Sequence, residues 1–111
     1  MSECVFCRIA AGELPATLVH DDARAVAFRD LDPKAPLHVL VIPRAHVARL
    51  ADLDDEGLAG HLLAVARQVA AAAGHADAYR VVVNNGAGAG QSVFHLHLHV
   101  LAGRPFSWPP G

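Results

Sequence analysis

Phe94-His95-Leu96-His97-Leu98-His99-Val100 alternates without a break between apolar side chains and imidazoles. Successive side chains of a strand point to opposite faces, so Leu96, Leu98 and Val100 form one row and His95, His97 and His99 the other. Neighbouring rings in that row stand about 6.5–7 Å apart along the backbone. Apolar side chains take the core, so the imidazoles are expected on a face that meets a ligand. The strand alone leaves three readings open: a solvated polar face, a metal site completed by a ligand from elsewhere, or a catalytic row. Neutral imidazole suits the last, because its pKa of about 6.5 leaves a free lone pair near pH 7.

Asn84-Asn85-Gly86-Ala87-Gly88-Ala89-Gly90-Gln91-Ser92 runs directly into this strand. Glycines let a backbone take positive φ and approach a ligand closely, so that several N–H groups converge on an anion. Asn84, Gln91 and Ser92 add neutral donors. Taken by itself the segment is a flexible turn; joined to three imidazoles it reads as a phosphate cradle beside a nucleophile. It is neither a P-loop nor a dinucleotide fingerprint, for it has no Gly-Lys-Ser/Thr and opens a strand rather than a helix.

The remaining chain fits an α+β fold, an antiparallel sheet with one long and one short helix in a single domain over residues 1–111. A short helix is predicted at about Val5–Ala11, ended by Gly12 and Pro15. Strands are predicted at Leu18–His20, Ala25–Arg29, Leu37–Ile42, Tyr79–Asn84 and Val93–Leu101, with a turn at Asp21-Asp22. Between them, Leu58, Leu62, Val65, Val69 and Ala72 recur at spacings of three and four, the stripe of an amphipathic helix. Asp52 or Asp54 is the expected N-cap, and Gly74 the stop.

Composition narrows the function. Of the 111 residues 53% are apolar, but 22 are alanine, so the core is modest. A net charge of -2 with 18% charged residues excludes a basic nucleic-acid module, an acidic tail and a disordered segment. No apolar run approaches the roughly 18–20 residues that span a bilayer, and the first thirty residues lack the pattern of a secretory signal. Two cysteines three residues apart offer no disulfide framework. A cytoplasmic protein without nucleic-acid or membrane partners is expected.

His95-Leu96-His97-Leu98-His99-Val100-Leu101 resembles the signature of the histidine triad (HIT) family. The likeness extends to Ala27-Phe28-Arg29-Asp30-Leu31-Asp32-Pro33, to His38-Val39-Leu40-Val41-Ile42-Pro43-Arg44-Ala45-His46 and to Gly90-Gln91-Ser92-Val93-Phe94. The ending Gly103-Arg104-Pro105-Phe106-Ser107-Trp108-Pro109-Pro110-Gly111 looks like that of the Hint branch, the nucleoside phosphoramidate hydrolases. The resemblance implies a homodimer that cleaves the P–N bond of purine nucleoside 5′-phosphoramidates, derivatives of AMP or GMP. By the same likeness His97 is the nucleophile, His99 lies beside the phosphate, and His95 and His38 support the site. Asn84, Gly90, Gln91 and Ser92 surround the phosphate, with Ser92 counted among the catalytic groups. Asp30 takes the ribose hydroxyls, and Phe6, Ile9, Phe28 and Leu31 wall the base. Trp108 either packs on a partner subunit or shapes the leaving-group side. A dinucleoside polyphosphate hydrolase and a nucleotide-sensing protein are the alternatives, and the Trp-Pro-Pro-Gly ending argues against the first.

Cys4-Val5-Phe6-Cys7 has the spacing of many zinc sites, although such a pair alone equally fits two idle thiols. In a bacterial subset of the HIT family, Cys4, Cys7, His46 and His95 correspond to a structural Zn²⁺ site, and all four residues stand here. The implied catalysis itself needs no metal. His95 then belongs to two sets, one ring nitrogen for the ion and the other to support its neighbour. Arg29 and Asn85 depart from the family pattern, and His20, His61 and His75 carry no assignment beyond a surface or helix-face role.

Overall fold

A computed structural model describes residues 3–111. Helix α1 (Val5–Ala10) is followed by strands β1 (Leu18–Asp21), β2 (Ala25–Arg29) and β3 (Leu37–Pro43), helix α2 (Glu56–Ala72), and strands β4 (Arg80–Val82) and β5 (Leu98–Ala102). The five strands form one antiparallel sheet in the order β1-β2-β3-β5-β4. β5, last in the chain, inserts between β3 and β4.

The apolar stripe of α2 packs on one face of this sheet. Leu58, Leu62, Val65 and Val69 are buried as expected, joined by Ala66 and Ala70, while Ala72 is exposed. They meet Ala25, Ala27, Leu37, Val39, Val41, Leu98, Val100 and Ala102. Alanines stand on both sides of this contact, Ala66 and Ala70 from the helix and Ala25, Ala27 and Ala102 from the sheet. α2 begins later than predicted. Leu53 is extended (φ -84°, ψ 116°), and Asp52 lies in a short 3-10 turn paired with Arg49. The N-cap is therefore Asp55, whose carboxylate accepts from the N–H of Leu58 at 3.0 Å. The stop is as predicted: Gly74 at φ +87° lets His75 N–H reach Ala70 O and its own N–H reach Ala71 O.

The opposite face is a second layer rather than a wet surface. All seven residues of β3 are buried, and Phe6 from α1 packs there with Val26, Phe28, Leu40 and Ile42. Arg44 fastens the far end of α1 by donating to Ala10 O (2.8 Å) and Asp22 O (2.7 Å), and it also pairs with Asp21. Asp22 braces the β1–β2 turn against α2: one carboxylate oxygen accepts from Arg24 and Ala25 N–H, the other from His20 (2.6 Å) and His61 (2.8 Å). Burial acts upward on its pKa, but these four hydrogen bonds outweigh it and hold the carboxyl well below the usual range. Two of the unassigned histidines thus serve this brace.

The histidine strand is shorter than the alternation predicts. β5 starts at Leu98, paired with Val41, and residues 93–97 run in irregular backbone. β3 ends at Pro43, which has no N–H to extend the ladder, and Leu96 N–H turns instead to Val47 O at 2.6 Å. Alternation survives the irregularity, for Leu96, Leu98 and Val100 all enter the α2 core. β4 likewise keeps only Arg80–Val82 of its predicted span. Just past β5, Gly103 takes φ +95° where a Cβ would lie 2.9 Å from Pro36 Cβ.

Replacing Asp55 by Ala is expected to lower the unfolding free energy by about 1 kcal/mol. Asp54→Ala should change it by less than about 0.5 kcal/mol. Urea titration of the two variants checks the position of the cap.

Candidate functional site

β3 and β5 lie side by side with Leu40 opposite His99 and His38 opposite Leu101, which makes His38 and His99 diagonal neighbours on one face. Their rings meet at His38 Nε2 to His99 Nδ1, 2.9 Å. The proton in that contact is placed by the backbone. Lys34 N–H donates to His38 Nδ1 at 3.0 Å, so Nδ1 is the bare nitrogen and Nε2 carries the hydrogen. His38 therefore donates to His99 Nδ1, and the proton of neutral His99 sits on Nε2. Asp30, 3.6 Å from His38 Nε2, is held in turn by the N–H of Asp32.

His97 is set the other way round. Its Nδ1 lies 2.8 Å from the carbonyl oxygen of His95, which only accepts, so Nδ1–H donates and Nε2 keeps a lone pair. His97 and His99 stand 5.1 Å apart between ring centroids, and Phe6 meets His97 edge to face at 5.2 Å. Adjacent rings thus present a bare nitrogen and an N–H. Burial, with help from His97 and His38 and against Asp30, pushes the His99 pKa down to about 4. Burial also lowers that of His38, with Lys34 adding and Asp30 and Asp32 opposing. Both rings are neutral at neutral pH, as the proton order requires.

His97 and His99 line a cavity of about 240 Å³. Of the residues expected around a ligand, Phe6, Ile9, Phe28, Asp30, Leu31 and Ser92 line it too. Leu31 stands at the mouth with 99% of its surface exposed. Val5, Pro15, Ala16, Leu40 and Val93 complete the apolar wall, with Arg29 at the edge. Leu40 escaped the sequence reading because β3 is apolar on both faces and shows no alternation to follow. Asn84, Gly90, Gln91 and Trp108 do not line the cavity. Gln91 is buried and spends its amide on the loop itself, donating to Ala48 O (2.7 Å) and Val93 O (3.0 Å) while accepting from Gly86 N–H (2.8 Å). Trp108 is 84% exposed in a tail held by Arg80 on Ser107 O and by Arg80 and Arg104 over the Phe106 ring.

The four residues expected to hold a metal gather beside this site. Cys4 Sγ and Cys7 Sγ lie 3.4 and 3.5 Å from His95 Nδ1, His46 Nδ1 lies 3.2 Å from the same atom, and Cys7 Sγ is 3.3 Å from His46 Nδ1. All four donor atoms fall within 4.8 Å of one another, a cluster able to hold a metal ion. His95 Nε2 donates to Pro43 O at 2.8 Å, which leaves Nδ1 bare and aimed at the other three. The second ring nitrogen therefore does not support His97, as the sequence suggested; the His95 carbonyl does. Asp30, His38 and His99 also converge within 4.8 Å, but both nitrogens of His38 are already committed and its Nε2 bears a proton. That trio is arranged for hydrogen bonding, not for a cation.

The HIT domain profile matches residues 11–106. The chain belongs to the HIT domain family. An uncharacterised HIT-like protein of Synechocystis is 51% identical over 98% of this chain and 97% of its own length. The crystal structure of a HIT family hydrolase from Legionella pneumophila superposes with a TM-score of 0.95 at 46% identity, covering 98% of this chain and all of that one. A histidine triad nucleotide-binding protein from Candida albicans superposes at 0.85 with 30% identity, over 96% of this chain and 83% of that one. The five-stranded antiparallel sheet with two helices is thus the HIT architecture. Cys4 and Cys7 precede the stretch that the HIT profile covers. Among the described residues no helix is long and apolar enough to cross a membrane.

His99 has a folded pKa of about 4 against about 6.5 for a free imidazole. The unfolded chain binds that proton first, so this contribution to stability is complete above pH 6.5 and lost as pH falls toward 4. Urea unfolding at pH 7.5 and pH 4.5 is expected to show a smaller loss for His99→Gln than for the wild-type HIT domain.

Proposed function

We propose that this HIT protein hydrolyses the P–N bond of purine nucleoside 5′-phosphoramidates and releases the nucleoside monophosphate. The observation that carries the reading is His97, its Nδ1–H held on the His95 carbonyl and its Nε2 lone pair presented in a cavity shared with His99 and Ser92. The hydrolase relative from Legionella and the nucleotide-binding relative from Candida support it.

In this reading Phe6, Ile9 and Phe28 sandwich the base by shape, and Asp30 accepts from the ribose hydroxyls. His97 Nε2 attacks the α-phosphorus, the P–N bond breaks, and a nucleotidyl-imidazole forms. Charge moves onto the non-bridging oxygens, where the Nε2–H of neutral His99 strengthens its hydrogen bond as the transition state develops. The leaving amine takes a proton from the Ser92 hydroxyl, which as an exposed group regains one from solvent water, a transfer typically worth about 10²–10⁴ in rate. Water then displaces His97 from phosphorus. Covalent catalysis divides one hard displacement into two easier ones. His38, Gln91 and the His95 carbonyl act behind these groups by fixing tautomer and loop shape.

The Cys4, Cys7, His46 and His95 donors suit a structural Zn²⁺ ion. Tetrahedral zinc spaces two nitrogens about 3.3 Å apart and a nitrogen and a sulfur about 3.5 Å apart, close to the 3.2–3.5 Å separations here. Four protein ligands fill such a sphere, so the ion supplies cross-linking and no chemistry. A homodimer is part of the same reading, supported by β4 as an open edge strand and by the exposed Trp108.

Incubation with adenosine 5′-phosphoramidate is expected to yield AMP, with turnover reduced at least about 10⁴-fold in His97→Ala. AMP binding without turnover in the wild type would favour a sensing role, and full activity in His97→Ala would overturn the mechanism. Elemental analysis of purified protein should find one zinc per chain, and none in the Cys4→Ser/Cys7→Ser double variant.

A further inference from the structure

His95 belongs both to the four-donor cluster and, through its carbonyl, to the cavity site. Its ring is fully buried and fixed at both nitrogens, Nε2 on Pro43 O and Nδ1 among Cys4, Cys7 and His46. Its carbonyl, a few bonds away, takes the Nδ1–H of His97 at 2.8 Å. A rotation of the His95 backbone that released the four-donor cluster would also withdraw the acceptor that orients His97.

Phe6 makes a second link. It sits between the two cysteines, and its ring lies 5.2 Å from His97, 5.4 Å from Phe28 and 6.0 Å from His95. Val5, Phe6 and Ile9 bring part of the cavity wall from α1. That helix has only six residues, far below the roughly 12–15 needed for stability on its own. It is seated by Phe6 in the layer of Val26, Phe28, Leu40 and Ile42 and tied at its two ends, where Arg44 fastens Ala10 O and the cysteines hold the start. The convergence of four donors and the seating of Phe6 against His97 are one arrangement of α1.

We propose that cation binding at the four-donor cluster and nucleotide binding in the cavity are thermodynamically linked through His95 and Phe6. A thiophilic divalent cation on Cys4, Cys7, His46 and His95 tightens the binding of a nucleoside monophosphate. The nucleotide tightens the cation by the same factor, as reciprocity requires. Each ligand binds best to the arrangement that the other holds, so each shifts the population toward it. His95 and Phe6 are positioning residues in this linkage. The inference rests on the nucleotide reading of the cavity.

The test uses zinc and AMP. Zinc affinity is measured by competition with a chromophoric chelator, with and without saturating AMP, and AMP affinity by calorimetry on zinc-loaded and zinc-stripped protein, with circular dichroism monitoring the fold. Both affinities are expected to shift by the same factor, about fivefold or more. Phe6→Leu changes each affinity on its own account, since Phe6 also walls the cavity, but the factor that relates the two is expected to fall toward one; an undiminished factor in that variant would overturn the route through Phe6, even if stripping zinc unfolds the chain. AMP that binds the zinc-loaded protein yet leaves zinc affinity unmoved would overturn the linkage alone. No AMP binding to the zinc-loaded protein would overturn the cavity reading as well.

Discussion

Placing three protons on buried imidazoles is the constraint that organises this molecule. A neutral histidine has one donor and one acceptor nitrogen, and a packed interior leaves neither to chance. Here each choice is made by the main chain: the Lys34 N–H settles His38, the Pro43 carbonyl settles His95 and the His95 carbonyl settles His97. Side-chain chemistry in the cavity is therefore inherited from backbone geometry. The loop after β2, the end of β3 and the approach to β5 supply those backbone groups.

The same rule separates two clusters of similar composition. Around His95 the outer nitrogen is occupied by a carbonyl, so the inner one is a lone pair facing two sulfurs and a second imidazole. Around His38 the outer nitrogen faces an N–H, so the inner one is a donor. A carbonyl in one place and an amide in the other make the first cluster able to hold a cation and the second a hydrogen-bond relay.

Local pattern carried the sequence reading a long way. The alternation at Phe94–Val100 sorted the leucines from the histidines even where the backbone leaves the strand, because core burial imposes the period with or without a ladder. The stripe from Leu58 to Val69 and the stop at Gly74 were equally legible. The errors have physical causes. Three aspartates stand in four residues, and the reading took 52 or 54 as the cap; the one that serves is Asp55, whose carboxylate accepts from Leu58 N–H. Leu40, which shares a layer with Phe6 and Phe28, was hidden because its strand is apolar on both faces. Gln91 looked like a donor to a ligand, but its amide turns inward to satisfy its own loop. The tautomers depend on atoms such as Lys34 N and Pro43 O, which no side-chain pattern encodes.

Gly103 shows how far such dependence reaches. It does not line the cavity, and its missing side chain leaves the room that Pro36 occupies. Pro36 belongs to the same short loop as Lys34, whose amide makes His38 a donor toward His99. A methyl group at position 103 would crowd that loop as well as strain its own backbone, and so loosen the grip on His38. An empty space of one carbon atom at the sheet's end thus helps decide which way hydrogen bonds run at its centre.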